Sequence, residues 1–271
     1  MRWLSRLTHG IGLLAVFLFA VFPFYWMVSS SFKTQTQILA SPPIWLFHPT
    51  LGNYAQVFAD EKVTRAVLSS LIVAVCSTGL SLVLAAPAAY ALARYEFRGK
   101  ADLWFWFISN RFISPIVLAL PVYIIARNLH ILDTHLVLIL VYITFILPIV
   151  VWIATDYFRS IPKELEEAAR LEGASQFDIF WRIYLPLGVP GIAVSAIFGF
   201  IFSWNELLYA LVLTRRDVQT APVVATSFMS GYEIPWGKIM ATGTVIVLPV
   251  TIFALLVSRQ MVRGLTMGAT K

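Results

Sequence analysis

Six apolar segments, each about as long as a bilayer is thick, constrain this chain more than anything else in its sequence. They run over residues 11–31, 66–93, 103–126, 134–158, 189–213 and 239–258. A helix needs about 20 apolar residues to cross the hydrocarbon core, and only helices or closed barrels satisfy their backbone groups there. The spacing therefore predicts an all-α membrane protein with six transmembrane helices. Composition agrees: 59% of the 271 residues are hydrophobic, 13% are charged, and the mean hydropathy is +0.80. Soluble domains carry roughly a quarter charged residues, so a second globular domain is not expected. The first segment follows Arg2 and Arg6 but is long and lacks an A-x-A site, so it reads as a retained helix.

Loop charges set the expected orientation. With the N-terminus inside, Arg2, Arg6, Arg94, Arg98, Lys100, Arg159, Lys163, Arg170, Arg182, Arg259, Arg263 and Lys271 are cytoplasmic. Lys33, Lys62, Arg65, Arg127, Arg215, Arg216 and Lys238 then lie outside. Twelve against seven favours both termini in the cytoplasm. The net charge of +6 is scattered over the ends of apolar segments and makes no nucleic-acid surface. The single Cys76 sits in a span, reads as a packing residue, and excludes an internal disulfide. Pro87, Pro115, Pro121, Pro148 and Pro249 are expected to kink their spans.

Between the fourth and fifth spans stands "SIPKELEEAARLEGASQFDIFWRIYLP", residues 160–186, with five of the fourteen acidic residues. Pro162 suits a first helical turn. Glu166 and Arg170 form an i,i+4 pair, and Gly173 stands where a left-handed C-cap belongs. Ser175 and Asp178 have capping-box spacing. Phe177, Phe180, Trp181 and Tyr184 then mark one face of a second helix, which Pro186 ends. Helix, glycine elbow, helix is a rigid knob suited to docking in a partner's groove. The competing reading is a re-entrant or amphipathic surface helix, which explains the aromatic face but not the acids.

Glu167-Ala168-Ala169, Gly173 four residues on, nine further residues and then Ile183-x-Leu185-Pro186 resemble the EAA-x3-G-x9-I-x-LP signature of ABC importer permeases. "SWNELLYAL", "RFISPIVLALPVY" and "VRGLTMGATK" are similar to the carbohydrate-type, maltose-like inner permeases. The resemblance implies a type I ABC importer permease fold and a subunit importing a sugar, polyol or sugar derivative across the bacterial inner membrane. It implies a second homologous permease as heterodimer partner, two ATPase subunits and an extracytoplasmic solute-binding protein. Glu164, Glu167, Ala168, Ala169, Gly173, Ala174 and Ser175, within a coupling helix at about 162–175, would contact the ATPase. ATP and magnesium would be held by those partners, with no cofactor in this chain. It divides the chain into a first helix with its outer loop, 1–65, an importer core, 66–258, and a cytoplasmic tail, 259–271, entering the interface between the ATPases.

Polar residues inside spans nominate a pathway. Arg111 lies about 13 Å into its span if the helix is continuous, where a basic side chain in lipid costs about 2.5–3.5 kcal/mol. Glu206 lies about 25 Å along the fifth. Trp204 is suited either to stacking on a sugar or to an interfacial belt, and Asn205 to binding hydroxyls. His9, His48, His130 and His135 lack metal-ligand spacing, and no phosphate loop, G-x-S-x-G or H-E-x-x-H occurs. The chain is therefore expected to be no enzyme. An ion-coupled secondary transporter or channel is the alternative, but repeats and further intramembrane acids are missing. A thiol-reactive label on a cysteine at Glu166, or elsewhere in 163–172, should react only from the cytoplasmic side; labelling from outside would invert the topology.

Overall fold

In a computed structural model, residues 2–110, 112–230 and 234–267 are described, with side chains over 9–110, 112–229 and 234–255. Among them the chain is helical throughout: α1 Arg2–Ser31, α2 Gln35–Ile38, α3 Gly52–Ala59, α4 Glu61–Arg94, α5 Lys100–Ser109, α6 Pro115–Asn128 and α7 His135–Ser160. There follow α8 Glu164–Leu171, α9 Gln176–Ile179, a π-turn Phe180–Tyr184, α10 Leu185–Trp204, α11 Leu208–Leu213, α12 Ala221–Ser227 and α13 Trp236–Met267. Helices α1, α4, α7, the run from α9 to α10, and α13 are long and apolar enough to span a bilayer. The third expected span is instead two helices, α5 and α6, separated where Ser114 and Pro115 start a new helix at its N1 position. The fifth is also broken: α10 ends at Trp204 and α11 begins at Leu208. Cys76, expected inside the packing, lies exposed on α4.

Two compact units make up the chain. One comprises residues 1–64 and 224–248. Here Asn53 donates to the carbonyls of Ser31 and Lys33, both at 2.8 Å, pinning α3 to the end of α1. The Lys33 side chain is buried, donating to the Ile44 carbonyl at 2.8 Å between the Trp26 and Phe47 rings. Lys238 reaches Asp60 at 2.6 Å, and that bond is the largest influence holding the Asp60 carboxyl below its usual range.

The other unit comprises residues 65–223 and 249–271. Its centre is α7, whose Val137, Leu138, Tyr142, Ile146, Val150 and Val151 are buried. Helix α10 packs on α7 through glycines. A Cβ on Gly188 would overlap the Phe158 ring, and one on Gly191 would overlap Tyr157. Small residues permit this approach because lipid tails supply no hydrophobic drive between helices. Ser77 of α4 meets Ser203 of α10 at 3.0 Å in the interior. The effect is to clamp the end of α7 to the start of α10, the two supports of the segment between them.

At the opposite ends of these helices, Asp133 adopts φ +58°. Its carboxylate accepts four backbone N–H groups, from Arg215, Arg216, Asp217 and Val218, at 2.9–3.3 Å. Burial pushes this carboxyl up, but the four donors together outweigh it and leave the group below its usual range. A depressed carboxyl stabilises the fold above its unfolded value, about 3.9, and this contribution vanishes as pH falls through the folded-state value.

Two outcomes follow. Gly188→Val should cost about 1–3 kcal/mol by overpacking against Phe158, read as a lower midpoint of thermal unfolding in detergent. Asp133→Asn should lower the midpoint at about pH 7, with the gap from the parent narrowing as the carboxyl protonates; a gap that is constant or widens on acidification would refute the clamp.

Candidate coupling site and pathway residues

The segment between α7 and α10 builds its rigidity from local rules. Glu166 and Glu167 donate their N–H groups to the Lys163 carbonyl, opening α8, so Pro162 precedes the N-cap and is not in the first turn as expected. Three glutamates crowd that first turn, where the helix dipole favours negative charge. At the other end Gly173 has φ +86°. Its N–H bonds Arg170 O, and the Ala174 N–H bonds Ala169 O, each at 3.0 Å. This is a complete Schellman cap, which only a residue at ease with positive φ closes without strain. Ser175 Oγ then accepts the Asp178 N–H at 3.2 Å and donates to its carboxylate at 2.5 Å, opening α9.

The next helix departs from the expected pattern. Leu185 N–H bonds Phe180 O, five residues back, making a π-turn over Phe180–Tyr184. Pro186 therefore does not end the helix. The wider turn absorbs the missing donor, and the helix runs from Gln176 to Trp204. The extra residue also splits the aromatic stripe. Phe177 and Trp181 stack outward at 6.1 Å, 70% and 57% exposed, whereas Tyr184 is fully buried.

Beneath α8 lies a polar cluster that sequence reading did not assemble. Glu166 is 7% exposed, unlike Glu164, Glu167, Ala168, Gly173 and Ser175, which are exposed, and Ala169 and Ala174, which are half-buried. One Glu166 oxygen lies 2.5 Å from Arg170 Nη2; the other accepts the Tyr184 hydroxyl at 2.9 Å and lies 3.8 Å from Arg94 Nε. Arg94, from the last turn of α4, also donates to the Ile161 carbonyl and places its guanidinium 4.6 Å from the Tyr184 ring centre. Around them pack Ala89, Tyr90, Phe158 and Ile179. A topology label at Glu166 would be shielded; Leu171, 91% exposed, is the position to use. Arg94 gave no signal as a partner because it lies 72 residues from Glu166 (166 − 94); only the alanines on the Glu166 face hinted that this carboxylate is carried inward.

Among the described pathway candidates, Trp204, Asn205 and Glu206 differ in exposure and do not share one surface. Trp204 is 1% exposed and stacks on Phe200 at 5.5 Å, so in this conformation its ring is turned into the helix packing and not toward a solute or the membrane interface. Asn205 is exposed at the end of α10, its amide turned back to the Ile201 carbonyl at 2.8 Å. Glu206 is half-buried and occupied, accepting the N–H groups of Tyr209 and Ala210 at 3.0 and 3.2 Å and the Tyr142 hydroxyl at 2.9 Å. It caps α11 and ties it to α7. Arg111 lies outside the described residues. Among the described residues no three His, Cys, Asp or Glu side chains cluster as a metal site.

Residues 2–266 match the sequence profile of the binding-protein-dependent transport system inner membrane components. The chain belongs to this family. It is thus a multi-pass inner-membrane permease subunit of an ABC importer, a transport subunit and no enzyme. It is 38% identical over 256 residues to a trehalose transport system permease of Mycobacterium tuberculosis, covering 93% of each chain. It is 33% identical over 272 residues to a trehalose/maltose permease of Thermococcus litoralis, covering 99% and 98%. Among solved structures, a chain of a bacterial importer of the acidic polysaccharide alginate superposes with TM-score 0.74 at 21% identity, covering 94% of this chain and 96% of that one.

Proposed function

We propose that this permease carries a sugar, polyol or sugar derivative and is driven by two ATPase subunits that seat α8 in a cleft. The observation carrying the reading is the division of α8 into two faces. One face is locked inward by Glu166; the other presents Glu164, Glu167, Ala168 and Leu171 to the outside on a helix capped at its C-terminal end. An eight-residue helix is marginal in water by itself, so a stiff one held proud of its support is suited to receive force. The carbohydrate assignment rests on relatives whose names specify trehalose, maltose and diacetylchitobiose.

In this mechanism ATP closes the partner subunits, α8 is carried with them, and the spans rock from inward-facing to outward-facing. A solute-binding protein then delivers its load; one alginate-importer structure includes such a periplasmic protein. A second permease completes the pathway, which suits α1, whose Leu13, Phe17 and Phe19 are 61–83% exposed and fit lipid or that partner. Asn205 and Arg111 remain candidates to face the solute; Glu206 shapes the pathway from behind by capping α11. ATP and magnesium belong to the partner subunits.

Gly173→Val, which strains the cap at positive φ, and Glu167→Lys, which reverses an outer-face charge, should leave membrane insertion normal. Both should abolish solute uptake and binding-protein-stimulated ATP hydrolysis in the reconstituted complex. Full stimulation in either variant would remove α8 from the coupling role. Thermal-shift screening of the binding protein against neutral disaccharides, polyols and uronic acids would identify the cargo.

A further inference from the structure

We infer that Arg94 is the positioning residue of the coupling site: it holds α8 to α4 and α10 so that the three move as one body. This rests on the reading of α8 as the ATPase contact. Arg94 touches three of the segments that meet there: Ile161 just past α7, Glu166 within α8 and Tyr184 in the π-turn leading into α10. The Arg94 and Glu166 side chains are only 3% and 9% exposed. A buried ion pair is weak evidence for stability, because apolar replacements often serve as well, whereas the strict geometry of charged groups fixes orientation.

Orientation is what α8 lacks otherwise. Toward its support it offers Ala169 and, after the cap, Ala174, side chains too small to resist rotation about the helix axis. Glu166 supplies the missing constraint: the Tyr184 hydroxyl holds one oxygen at 2.9 Å from outside α8, while Arg170, within α8 itself, holds the other at 2.5 Å and sets the side chain's direction. Arg94 Nε is buried without a hydrogen-bond partner, 3.8 Å from the carboxylate. A guanidinium held at that distance attracts Glu166 without a second short bond, while its Nη2 is spent on the Ile161 carbonyl. With α8 so fixed, ATPase closure must move the spans, and the rigid joint passes their resistance to closure back to the ATPase. Without the fixture α8 swivels, and the ATPase closes against no load.

The test is the rate of ATP hydrolysis per assembled complex, without solute or binding protein, in the purified permease–ATPase assembly with ATP as the only probe. Arg94→Gln and Glu166→Gln should each raise this rate about tenfold, within the usual range of allosteric coupling. The double variant should match the singles, as residues acting as a unit do. Tyr184→Phe, which removes only the hydroxyl, should raise it about threefold and carries the test if the charge variants fail to assemble. A pair that merely stabilises the fold would lower the yield of complex and leave the rate per complex unaltered. Rates within about twofold of the parent, or effects of the two charges that multiply, would overturn the inference. Glu167→Lys separates the two claims: full binding-protein-stimulated ATP hydrolysis in that variant would defeat the docking reading itself, whatever Arg94 does.

Discussion

A single buried arginine bridges the segments that meet at one end of α8. Arg94 ends α4, and the guanidinium it carries reaches the carbonyl just past α7, the carboxylate of α8 and the tyrosine ring just before α10. The glycine contacts of α10 on α7 place those helix ends close enough for one side chain to bridge them. The Schellman cap at Gly173 and the Ser175 cap turn the chain back on itself within a few residues. Remove the charge, and these local devices would still form; they would no longer share a frame.

The parts of this arrangement legible in the sequence are those set by local rules. Apolar length marked the spans, and a glycine after an alanine-rich acidic run marked the cap at φ +86°. Serine three residues before aspartate marked the start of α9. The Glu166–Arg170 pair followed from helical spacing alone. The rest depends on groups far apart in the chain. Nothing near Glu166 announces Arg94, and nothing near Glu206 announces Tyr142, 64 residues away. Periodicity also fails where the period itself changes, which is why Phe177 and Tyr184 were assigned one face and occupy two.

The broken spans carry a related lesson. A hydropathy profile averages over a window and cannot distinguish one helix of 25 residues from two that meet inside the bilayer. Backbone groups freed at such a break must find partners, and here Glu206 supplies them by accepting the first N–H groups of α11. The Glu206 carboxylate, nominated for the pathway by its place in a span, thus also closes a helix end, and Trp204 beside it packs against Phe200.

The π-turn gives a physical meaning to a number in the motif. Nine residues separate Gly173 from Ile183, and the extra residue of the turn lies at the end of that interval. A π-turn takes up one extra residue within a single turn, so deleting one residue there would let it rewind to an ordinary helix with both flanks still in phase. Deleting a residue from the α-helical stretch after Leu185 would instead rotate everything before it by about 100° relative to the rest of α10. The interval thus carries one residue of slack, and a shortening that plain helix would turn into a change of direction is absorbed at Phe180–Tyr184.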